Sequence, residues 1–422
     1  MTYEQALCYI HSVSGVFCKP GLTRIGELCR GLGNPHKKLK FIHIGGTNGK
    51  GSVSSMTASI LGAAGYCVGL YTSPYVLKFN ERIRVNGENI SDVELARLTE
   101  EVKAVADEMT DKPTEFEIIT AVAFLHFARC GCDFVVLEVG LGGRFDATNI
   151  IESPILSVIT GIALDHTAIL GDSVEKIAFE KAGIIKSGRP VLYGGEDEAA
   201  AEVIREGADQ CGSAMHRTDY SLLKEEKSDL EGSVFGYRMR QNLTVHLLGE
   251  YQMRNAAIVL DAVDILRGEE IKIGEDAVRT GLSEAKWPAR FEIIHRDPIV
   301  IFDGAHNPQG IRAAVDGIER YFDKRVTVIS GVLADKDCRQ IAENISRVAD
   351  CALTITPDNP RALSAEAYAD LLKEYGVEAT SCGSIREAIS LGLSLAREKD
   401  CALCCLGSLY TYQGVIDALS KI

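Results

Sequence analysis

Residues 41–52, FIHIGGTNGKGS, combine a glycine-rich turn with a lysine, a pattern suited to the phosphates of a nucleotide. An apolar run predicts a strand before the turn and a helical pattern follows it, so backbone N–H groups would point at a bound anion. The spacing is unusual, because Ile44 stands where a P-loop has its first glycine. Gly51 also separates Lys50 from Ser52, which delays the usual hydroxyl by one position. We predict nucleotide binding here; a glycine-rich connection without a ligand is the alternative.

Two side chains of metal-binding type follow other strands of the predicted sheet. Glu138 ends the apolar run 133–139, and His166 follows the run 154–160. The carboxyl ends of parallel strands meet at one edge of a sheet, where Mg²⁺ ligands would be useful beside a phosphate loop. The stretch GLGGRFDATN, residues 140–149, lies between them and is either a substrate loop or a turn. An exposed strand-end acid and a polar surface histidine remain the alternatives for the two side chains.

Lys181 lies on the apolar face of a predicted helix, residues 173–185, whose start resembles a capping box of Asp172 and Glu175. Burial lowers the pKa of a lysine and makes its amine partly neutral. A neutral amine can take up CO₂ and become a carbamate, which is a carboxylate able to bind Mg²⁺. Spacing alone favours a simpler interpretation, in which the lysine reaches the surface or forms a buried ion pair.

A second strand–turn–helix junction occurs at IVIFDGAHNPQG, residues 299–310. Asn307 suits the N-cap of the helix, and Pro308 suits its first position. Asp303 and His306 would therefore stand at the carboxyl edge of a strand, where α/β sheets bind ligands. An acid and a histidine three residues apart could orient one another for proton transfer. Asx-turn chemistry with an incidental histidine explains the same residues equally well.

The elements that must position these residues alternate between apolar strand-like runs and helical patterns over most of the chain, as in an α/β protein with a mostly parallel sheet. The alternation is interrupted at about residues 196–250, where we predict a surface excursion and a small β-hairpin. After AKWPARFE, which holds the single tryptophan, a second α/β alternation begins. We therefore predict two domains, residues 1–291 and 292–422.

Composition limits the classes of protein that remain. The chain has 422 residues, a formal net charge of −14 and 13 cysteines. The charge disfavours a nucleic-acid partner, because such proteins need a basic surface. No apolar run suits a membrane span and the amino terminus lacks a secretory pattern, so we expect a cytoplasmic protein without a membrane partner. We expect reduced cysteines, with Cys401 and Cys404 as buried thiols of a strand rather than metal ligands.

Eight short motifs occur in this order: GGTNGKGS, TSPYVLKFNERI, EVGLGGRFDATN, DHTAILG, FEKAGI, QMRNAA, WPARFE and DGAHNPQG. Together they resemble the folylpolyglutamate synthase/dihydrofolate synthase family of the Mur ligase superfamily. The resemblance covers nearly the whole chain, including PGLTRIGELCRGLGNP near the amino terminus. In that family a glycine follows the loop lysine, so Gly51 is a family feature.

The resemblance implies a P-loop ATPase-type amino-terminal domain with a mostly parallel sheet and a smaller Rossmann-like carboxyl-terminal α/β domain. It also implies that Lys181 is carbamylated, against the interpretation from spacing. Tyr251 is a departure, because many relatives have histidine there, and we expect only a local change near the adenine side. The implied catalytic residues are Lys50, Lys181, Asp303 and His306; the ATP-binding residues are Asn48, Gly49, Lys50, Gly51, Ser52, Asn255, Arg290 and Asp303; the folate-binding residues are Phe116, Glu117, Phe145, Asp146 and Ala147; and the metal ligands are Ser73, Glu138, His166 and Lys181.

The implied activity is that of an ATP-dependent acid–amino-acid ligase, which adds L-glutamate to the γ-carboxylate of tetrahydrofolate through an acyl phosphate. ATP is the expected co-substrate, two Mg²⁺ ions are the expected cofactors, and a monomer is expected. Ligation of glutamate to dihydropteroate, alone or as a second activity, stays open. A nucleotide switch without ligation is the alternative of another class, but it leaves DGAHNPQG unexplained. A module that binds nucleotide only structurally is the third.

Overall fold

The computed structural model describes residues 1–13 and 21–421, so Pro20, the first residue of the amino-terminal motif, lies outside the described part of the chain. The chain divides into two compact units. The predicted boundary after residue 291 lies close to the last division, but the sequence assigned residues 225–235 and 244–253 to the first domain. Unit 1 comprises Met1–Lys224, Gly236–Leu243 and Arg254–Ala285, and unit 2 comprises Glu225–Phe235, Thr244–Met253 and Lys286–Ile422.

The sheet of unit 1 has eight strands, which are β1 (Phe41–Gly45), β2 (Val68–Tyr71), β3 (Ile83–Val85), β4 (Glu88–Asn89), β5 (Phe134–Glu138), β6 (Leu156–Ile159), β7 (Val191–Tyr193) and β8 (Met215–Arg217). Their spatial order is β4-β3-β2-β5-β1-β6-β7-β8. Strands β2, β5, β1, β6, β7 and β8 are parallel, and β3 and β4 add an antiparallel edge. Strands β1, β2, β5 and β6 are buried along their whole length, which explains their unbroken apolar runs.

Ten helices begin before residue 286 in the described part of the chain. The predicted helix after the phosphate loop is confirmed, because Val53, Met56 and Ile60 are buried along one face of it. The helices are α1 (Tyr3–Ser12), α2 (Thr23–Gly31), α3 (Lys50–Ala63), α4 (Asp92–Glu108), α5 (Glu115–Arg129), α6 (Thr167–Leu170), α7 (Val174–Ala182), α8 (Glu198–Gln210), α9 (Glu250–Gly268) and α10 (Glu275–Glu284).

The region predicted as a surface excursion with a hairpin is more regular than expected. It begins with α8 and β8, which the sequence did not predict. A three-stranded sheet follows, so the hairpin is confirmed and extended by one strand. Its strands are β9 (Leu223–Asp229), β10 (Gly232–Tyr237) and β11 (Arg240–Val245), with β10 in the middle.

Unit 2 has a six-stranded sheet formed by β12 (Glu292–Arg296), β13 (Ile299–Asp303), β14 (Val326–Ser330), β15 (Ala349–Thr354), β16 (Glu378–Ser381) and β17 (Leu403–Leu406). The spatial order is β12-β13-β17-β14-β15-β16, and only β12 pairs antiparallel. Two mostly parallel sheets with helices confirm the predicted α/β class. The helices of this part are α11 (Pro308–Tyr321), α12 (Cys338–Ser346), α13 (Ala365–Glu374), α14 (Ile385–Lys399) and α15 (Tyr412–Leu419).

Cys404 lies buried in β17, as predicted, and Cys401 is half-buried just before that strand. Among the residues that the structure describes, no helix combines the length and the apolar character needed to cross a membrane.

Candidate active site

Four adjacent parallel strands bring the predicted segments of unit 1 to one edge of its sheet. Strands β2, β5, β1 and β6 are neighbours in that order and run in the same direction. Ser73 follows β2, Glu138 ends β5, the turn 46–49 follows β1, and His166 lies in the segment after β6. The prediction that these segments share one edge of the sheet is confirmed, because parallel strands present their carboxyl ends together.

The two glycines at the ends of the turn explain why the loop needs residues without a side chain. Gly46 has φ +137°, and a Cβ atom there would lie 2.0 Å from the Oγ1 of Thr160. Gly49 has φ +84°, and its Cβ atom would lie 2.6 Å from the Oδ1 of Asn255. Both conformations are left-handed and strained for other residues. Asn255, a predicted ATP contact, is thus packed directly against the loop.

Hydrogen bonds tie the loop to the segment after β6. The Thr47 N–H donates to the carbonyl oxygen of Gly161 at 2.7 Å, and the Thr47 hydroxyl contacts the backbone of Ala163. The Thr160 hydroxyl donates to the carbonyl oxygen of Asn48 at 2.7 Å. Thr160 was not predicted as a site residue. Its only signal in the sequence is a hydroxyl residue at the end of a buried strand, which is too common to be specific.

Lys50 begins α3, and its amine turns back over the loop. The Nζ donates to the carbonyl oxygens of Gly46 at 3.2 Å and Thr47 at 3.1 Å. Gly51 and Ser52 continue the first turn of α3, and Ser52 is buried. The loop therefore presents one cation and the N-terminus of a 14-residue helix at the same place, which is a favourable arrangement for an anion.

Lys181 reaches the same loop from α7. Its side chain is buried, and the Nζ donates to the carbonyl oxygen of Gly46 at 2.7 Å. The amines of Lys50 and Lys181 thus share one acceptor. Burial, followed by the charge of Lys50, lowers the pKa of Lys181 to about 7, against the opposing charges of Asp165 and Asp146. About half of the Lys181 amine is therefore neutral near pH 7, which is the form that reacts with CO₂.

The start of α7 differs from the prediction. Ser173 is the N-cap, and its hydroxyl accepts a hydrogen bond from the N–H of Lys176. Asp172, predicted as the cap, instead pairs with the Lys176 amine at 2.8 Å on the surface. Adjacent Asp and Ser residues are both good caps, so sequence alone could not choose between them.

Two of the four predicted metal ligands, Ser73 and Glu138, contact each other. A third, His166, lies in the segment after β6. The Ser73 N–H donates to the Oε2 of Glu138 at 3.1 Å, and the Glu138 side chain is buried. His166 has φ +50° and precedes α6, and its N–H donates to the Oδ1 of Asp165 at 2.9 Å. The His166 side chain is 44% exposed. Asp165 was not predicted, although its acidic side chain directly before His166 was a usable signal.

The chemistry of these side chains can be compared with the needs of Mg²⁺. Among residues 1–13 and 21–421, no three His, Cys, Asp or Glu side chains are grouped so that they could hold a metal ion. The predicted set contains only two such residues, Glu138 and His166. A Mg²⁺ ion bound with a nucleotide commonly uses one or two carboxylates plus phosphate oxygens and water. The set therefore fits Mg²⁺ through the Glu138 carboxylate, and a carbamate on Lys181 would supply a second carboxylate.

The glycine-rich loop 140–149 is ordered by its own aspartate. Asp146 accepts hydrogen bonds from the N–H of Leu141 at 2.9 Å and of Thr148 at 3.0 Å, and it caps the short 3₁₀ helix Ala147–Ile150. The Nε2 of His43 contacts the Thr148 hydroxyl at 2.9 Å. Burial raises the pKa of Asp146 despite these donors. The loop is therefore ordered by hydrogen bonds within it, and its role as a substrate loop stays a prediction.

The predicted folate residues differ in their exposure. Phe145 is 51% exposed, and Phe116 is half-buried with its ring against Gly140. Glu117 is buried, caps α5 by accepting from the Thr114 N–H at 2.7 Å, and pairs with Arg24 at 3.0 Å. The two phenylalanines thus offer ring surface, whereas Glu117, Asp146 and Ala147 are buried. Their contact with a folate stays a prediction.

In unit 2, Asp303 ends β13 with its carboxylate fully engaged by donors. Its Oδ2 accepts from the Phe291 N–H at 2.8 Å and from the Tyr251 hydroxyl at 3.0 Å, and its Oδ1 accepts from the Ala305 N–H at 2.7 Å. Burial raises the pKa of Asp303, while the charge of Arg290 opposes this shift. Tyr251 thus contacts a residue predicted to be catalytic, and its expected effect near the adenine side stays a prediction.

His306 contacts the backbone of its own turn. Its Nδ1–H donates to the carbonyl oxygen of Gly304 at 3.0 Å. The mutual orientation of His306 and Asp303 for proton transfer stays a prediction. The predicted helix start is confirmed, because Asn307 caps α11 by accepting from the Gly310 N–H at 2.8 Å and Pro308 is the first residue. His306 thus stands in the turn between β13 and α11.

The fold and this site define a Mur ligase. The family of the Mur ligase middle domain matches residues 44–263, and that of the Mur ligase glutamate ligase domain matches residues 289–408. The matches to individual proteins point to one family among the Mur ligases. The chain is 39% identical over 380 residues to a dihydrofolate synthase/folylpolyglutamate synthase of Bacillus subtilis, covering 87% of this chain and 88% of that protein.

Two further relatives extend over almost the full length. The chain is 36% identical to a folylpolyglutamate synthase of Lacticaseibacillus casei, with 99% of each protein covered. A solved structure described as an FPGS–AMPPCP–folate complex superposes with a TM-score of 0.87 at 34% identity, covering 99% of this chain and 100% of that one. The chain belongs to the folylpolyglutamate synthase/dihydrofolate synthase family, as its motifs predicted.

Proposed function

We propose that this chain is an ATP-dependent ligase that adds L-glutamate to the γ-carboxylate of tetrahydrofolate. ATP is its co-substrate, and a folate is its acceptor. The observation that carries the proposal is the meeting of Lys50 and Lys181 on the carbonyl oxygen of Gly46, beside the strand end that holds Glu138. This arrangement serves to bring two anions together, which is the main obstacle to activating a carboxylate with a triphosphate.

The reaction begins when the folate carboxylate attacks the γ-phosphate of ATP, which gives an acyl phosphate and ADP. The amine of L-glutamate then attacks the activated carbonyl carbon, and phosphate leaves from the tetrahedral intermediate. Backbone N–H groups of the loop and the N-terminus of α3 hold the phosphates, and Lys50 neutralises charge on them. The chain contributes mainly position and electrostatics, because phosphoryl transfer needs little covalent help from a protein.

Mg²⁺ is part of this proposal. When bound, it would neutralise charge on the phosphate oxygens. The neutral fraction of the Lys181 amine makes a carbamate chemically accessible, and that carbamate would join the ligands of the second of two ions. The residues that would hold the ions are Ser73, Glu138, His166 and Lys181.

Unit 2 supplies the other proposed contacts. Arg290 and Asp303 serve ATP, together with Asn255 of unit 1, and His306 serves proton transfer in the turn after β13. The engagement of Asp303 with three donors supports a fixed carboxylate rather than a mobile one. The monomeric state, the cytoplasmic location and the division into ligase domains at residues 291/292 stay predictions.

A second candidate activity has a specific basis. The Bacillus subtilis relative carries both names, dihydrofolate synthase and folylpolyglutamate synthase. We therefore keep ligation of glutamate to dihydropteroate as an activity that this chain has in addition to, or in place of, glutamate addition to tetrahydrofolate.

The test supplies the purified chain with ATP, Mg²⁺ and L-glutamate, and with tetrahydrofolate or dihydropteroate in turn. We expect a tetrahydrofolate product heavier by one glutamate residue, with one ADP released per product. A product from dihydropteroate alone would assign the second activity instead. ADP release that does not depend on glutamate would contradict ligation and favour the nucleotide switch. No turnover with any folate would favour a structural nucleotide site.

A further inference from the structure

Two cysteine side chains meet at the edge of the unit 1 sheet that is opposite to the proposed active site. Cys67 immediately precedes β2, and Cys132 lies just before β5, and these two strands are parallel neighbours. The Sγ atoms of Cys67 and Cys132 are 4.0 Å apart. Ser73 and Glu138 stand at the other ends of the same two strands. The thiols therefore belong to neither the phosphate loop nor the proposed metal site.

The backbone around the pair is held in place by several hydrogen bonds. The carbonyl oxygen of Cys67 accepts from the N–H of Asp133 at 2.8 Å, and the Cys67 N–H donates to the Asp133 carboxylate at 2.9 Å. A disulfide has an S–S distance of about 2.05 Å, so the sulfur atoms must approach by about 2 Å. The proposed bond therefore requires the two side chains to turn towards each other.

Access to the pair is unequal. Cys67 is half-buried, whereas Cys132 is 7% exposed. A third cysteine, Cys130, is exposed nearby, and its sulfur contacts the ring of His126. Within the pair, Cys67 is therefore the thiol that a small oxidant can reach, and the 4.0 Å between the sulfur atoms places Cys132 to react with it.

We propose that Cys67 and Cys132 form a reversible intramolecular disulfide by exchange with a low-molecular-weight disulfide. The Cys67 thiolate attacks one sulfur of that disulfide, forms a mixed disulfide and releases one small thiolate. The Cys132 thiolate then attacks the Cys67 sulfur and releases the second small thiolate. The two cysteines lose two protons and two electrons, and the small disulfide is reduced to two thiols.

The speed and the consequence of this step follow from the surroundings. Burial, with the neighbouring thiols adding to it, raises the pKa of Cys132, so its thiolate is scarce and the second exchange is slow. The bond would close a long loop that contains β2, α4 and α5. Such a cross-link stabilises chiefly by restricting the unfolded chain. The disulfide would thus be a redox-dependent, stabilising cross-link at the amino-terminal ends of β2 and β5, the strands whose other ends carry Ser73 and Glu138.

The experiment incubates the full chain with oxidised glutathione and maps its peptides by mass spectrometry without reduction. We expect a linked peptide pair through Cys67 and Cys132 that is lighter by two hydrogens. We also expect a rise in the unfolding midpoint of roughly 5 °C that dithiothreitol reverses. Cys67→Ser and, independently, Cys132→Ala should lose both effects.

The matched control is Cys130→Ser, which should retain the linked peptides and the shift in midpoint. Loss of the link in this variant, or a link between Cys67 and Cys130, would overturn the assignment of the pair. Mixed glutathione adducts without an internal link would overturn the disulfide itself. A link that leaves the unfolding midpoint unchanged would contradict its role as a stabilising cross-link.

Discussion

At the scale of single residues, the central feature is one carbonyl oxygen that accepts hydrogen bonds from two lysines. The amines of Lys50 and Lys181 lie 3.2 Å and 2.7 Å from the oxygen of Gly46. Two charged amines at one acceptor would repel each other, and burial adds to the cost of charging Lys181. The spacing of residues in the sequence showed that Lys181 lies on an apolar face. It could not show the partner, because Gly46 is far away in the chain.

Lys181→Met should change how stability depends on pH. The folded pKa of Lys181 is about 7, below the ordinary value of about 10.4 for an unfolded chain. Between these values the unfolded chain binds more protons, so Lys181 makes the parent more stable as the pH rises from about 7 to about 10. Below pH 7 its full cost is present. We expect the variant to gain up to roughly 4 kcal/mol on the parent near pH 6, and this advantage to vanish near pH 10.

The measurement is denaturant unfolding of both proteins from pH 6 to 10 in buffer freed of CO₂, which prevents carbamate formation. Methionine is similar in volume to the lysine stem, so its packing contributes a term that does not vary with pH. A stability difference that is the same at every pH would contradict a buried, partly neutral Lys181.

Tyr251→Phe should alter the acid side of the pH–activity profile. The Tyr251 hydroxyl donates to Asp303, and the loss of this donor raises the already raised pKa of Asp303 further. We expect kcat/KM to fall about tenfold and its acidic limb to move to higher pH. Steady-state rates measured across pH provide the test.

The matched control for that variant is Tyr321→Phe. The Tyr321 hydroxyl accepts from the Gly249 N–H at 3.1 Å and its ring packs on Phe291, so the same chemical change leaves the donors of Asp303 in place. An equal shift of the acidic limb in both variants would show that Tyr251 does not position Asp303.

At the scale of elements, the strand order decides which loops meet. The sequence predicted three strands followed by chemically suitable residues, and the order β2-β5-β1-β6 places their carboxyl ends beside that of β2, which precedes Ser73. Local patterns revealed the strands because burial on both faces leaves an unbroken apolar run. The order of the strands depends on contacts between distant segments, so the contact of Thr160 with the phosphate loop became visible only in the fold.

Gly49→Ala should weaken ATP binding at least tenfold. The residue has φ +84°, and an added Cβ atom would lie 2.6 Å from the Oδ1 of Asn255. The side chain of Asn255 must then move, and the turn must bear a strained conformation. Calorimetric titration with a non-hydrolysable ATP analogue measures the change in Kd.

Gly62→Ala, in the same helix α3, provides the control for this loop substitution. Its added Cβ atom has open space around it, and alanine favours a helix by up to about 1 kcal/mol over glycine. The control should bind the analogue like the parent and be no less stable. Parent-like affinity in Gly49→Ala would contradict a phosphate-binding role for this turn.

At the scale of the whole molecule, the sequence predicted some features of the ligand class and the domain organisation and missed others. A net charge of −14 does not prevent the binding of nucleotide, because the loop, the helix N-terminus and Lys50 create a local site for anions. The α/β class was visible in the pattern of strands, and the predicted boundary after residue 291 lies close to Ala285, where the last stretch of unit 1 ends. The assignment of residues 225–235 and 244–253 to unit 2 was not visible in the sequence, because a hairpin has the same local pattern wherever it packs.

The transfer of a labelled oxygen tests the central claim most directly, namely that ATP activates a folate carboxylate as an acyl phosphate. The γ-carboxylate of tetrahydrofolate is prepared with heavy oxygen, and the chain then reacts with ATP, Mg²⁺ and L-glutamate. We predict that the released phosphate carries one labelled oxygen for each glutamate added, and that Lys50→Ala abolishes this transfer. Unlabelled phosphate released together with product, or parent-like transfer in Lys50→Ala, would contradict the account.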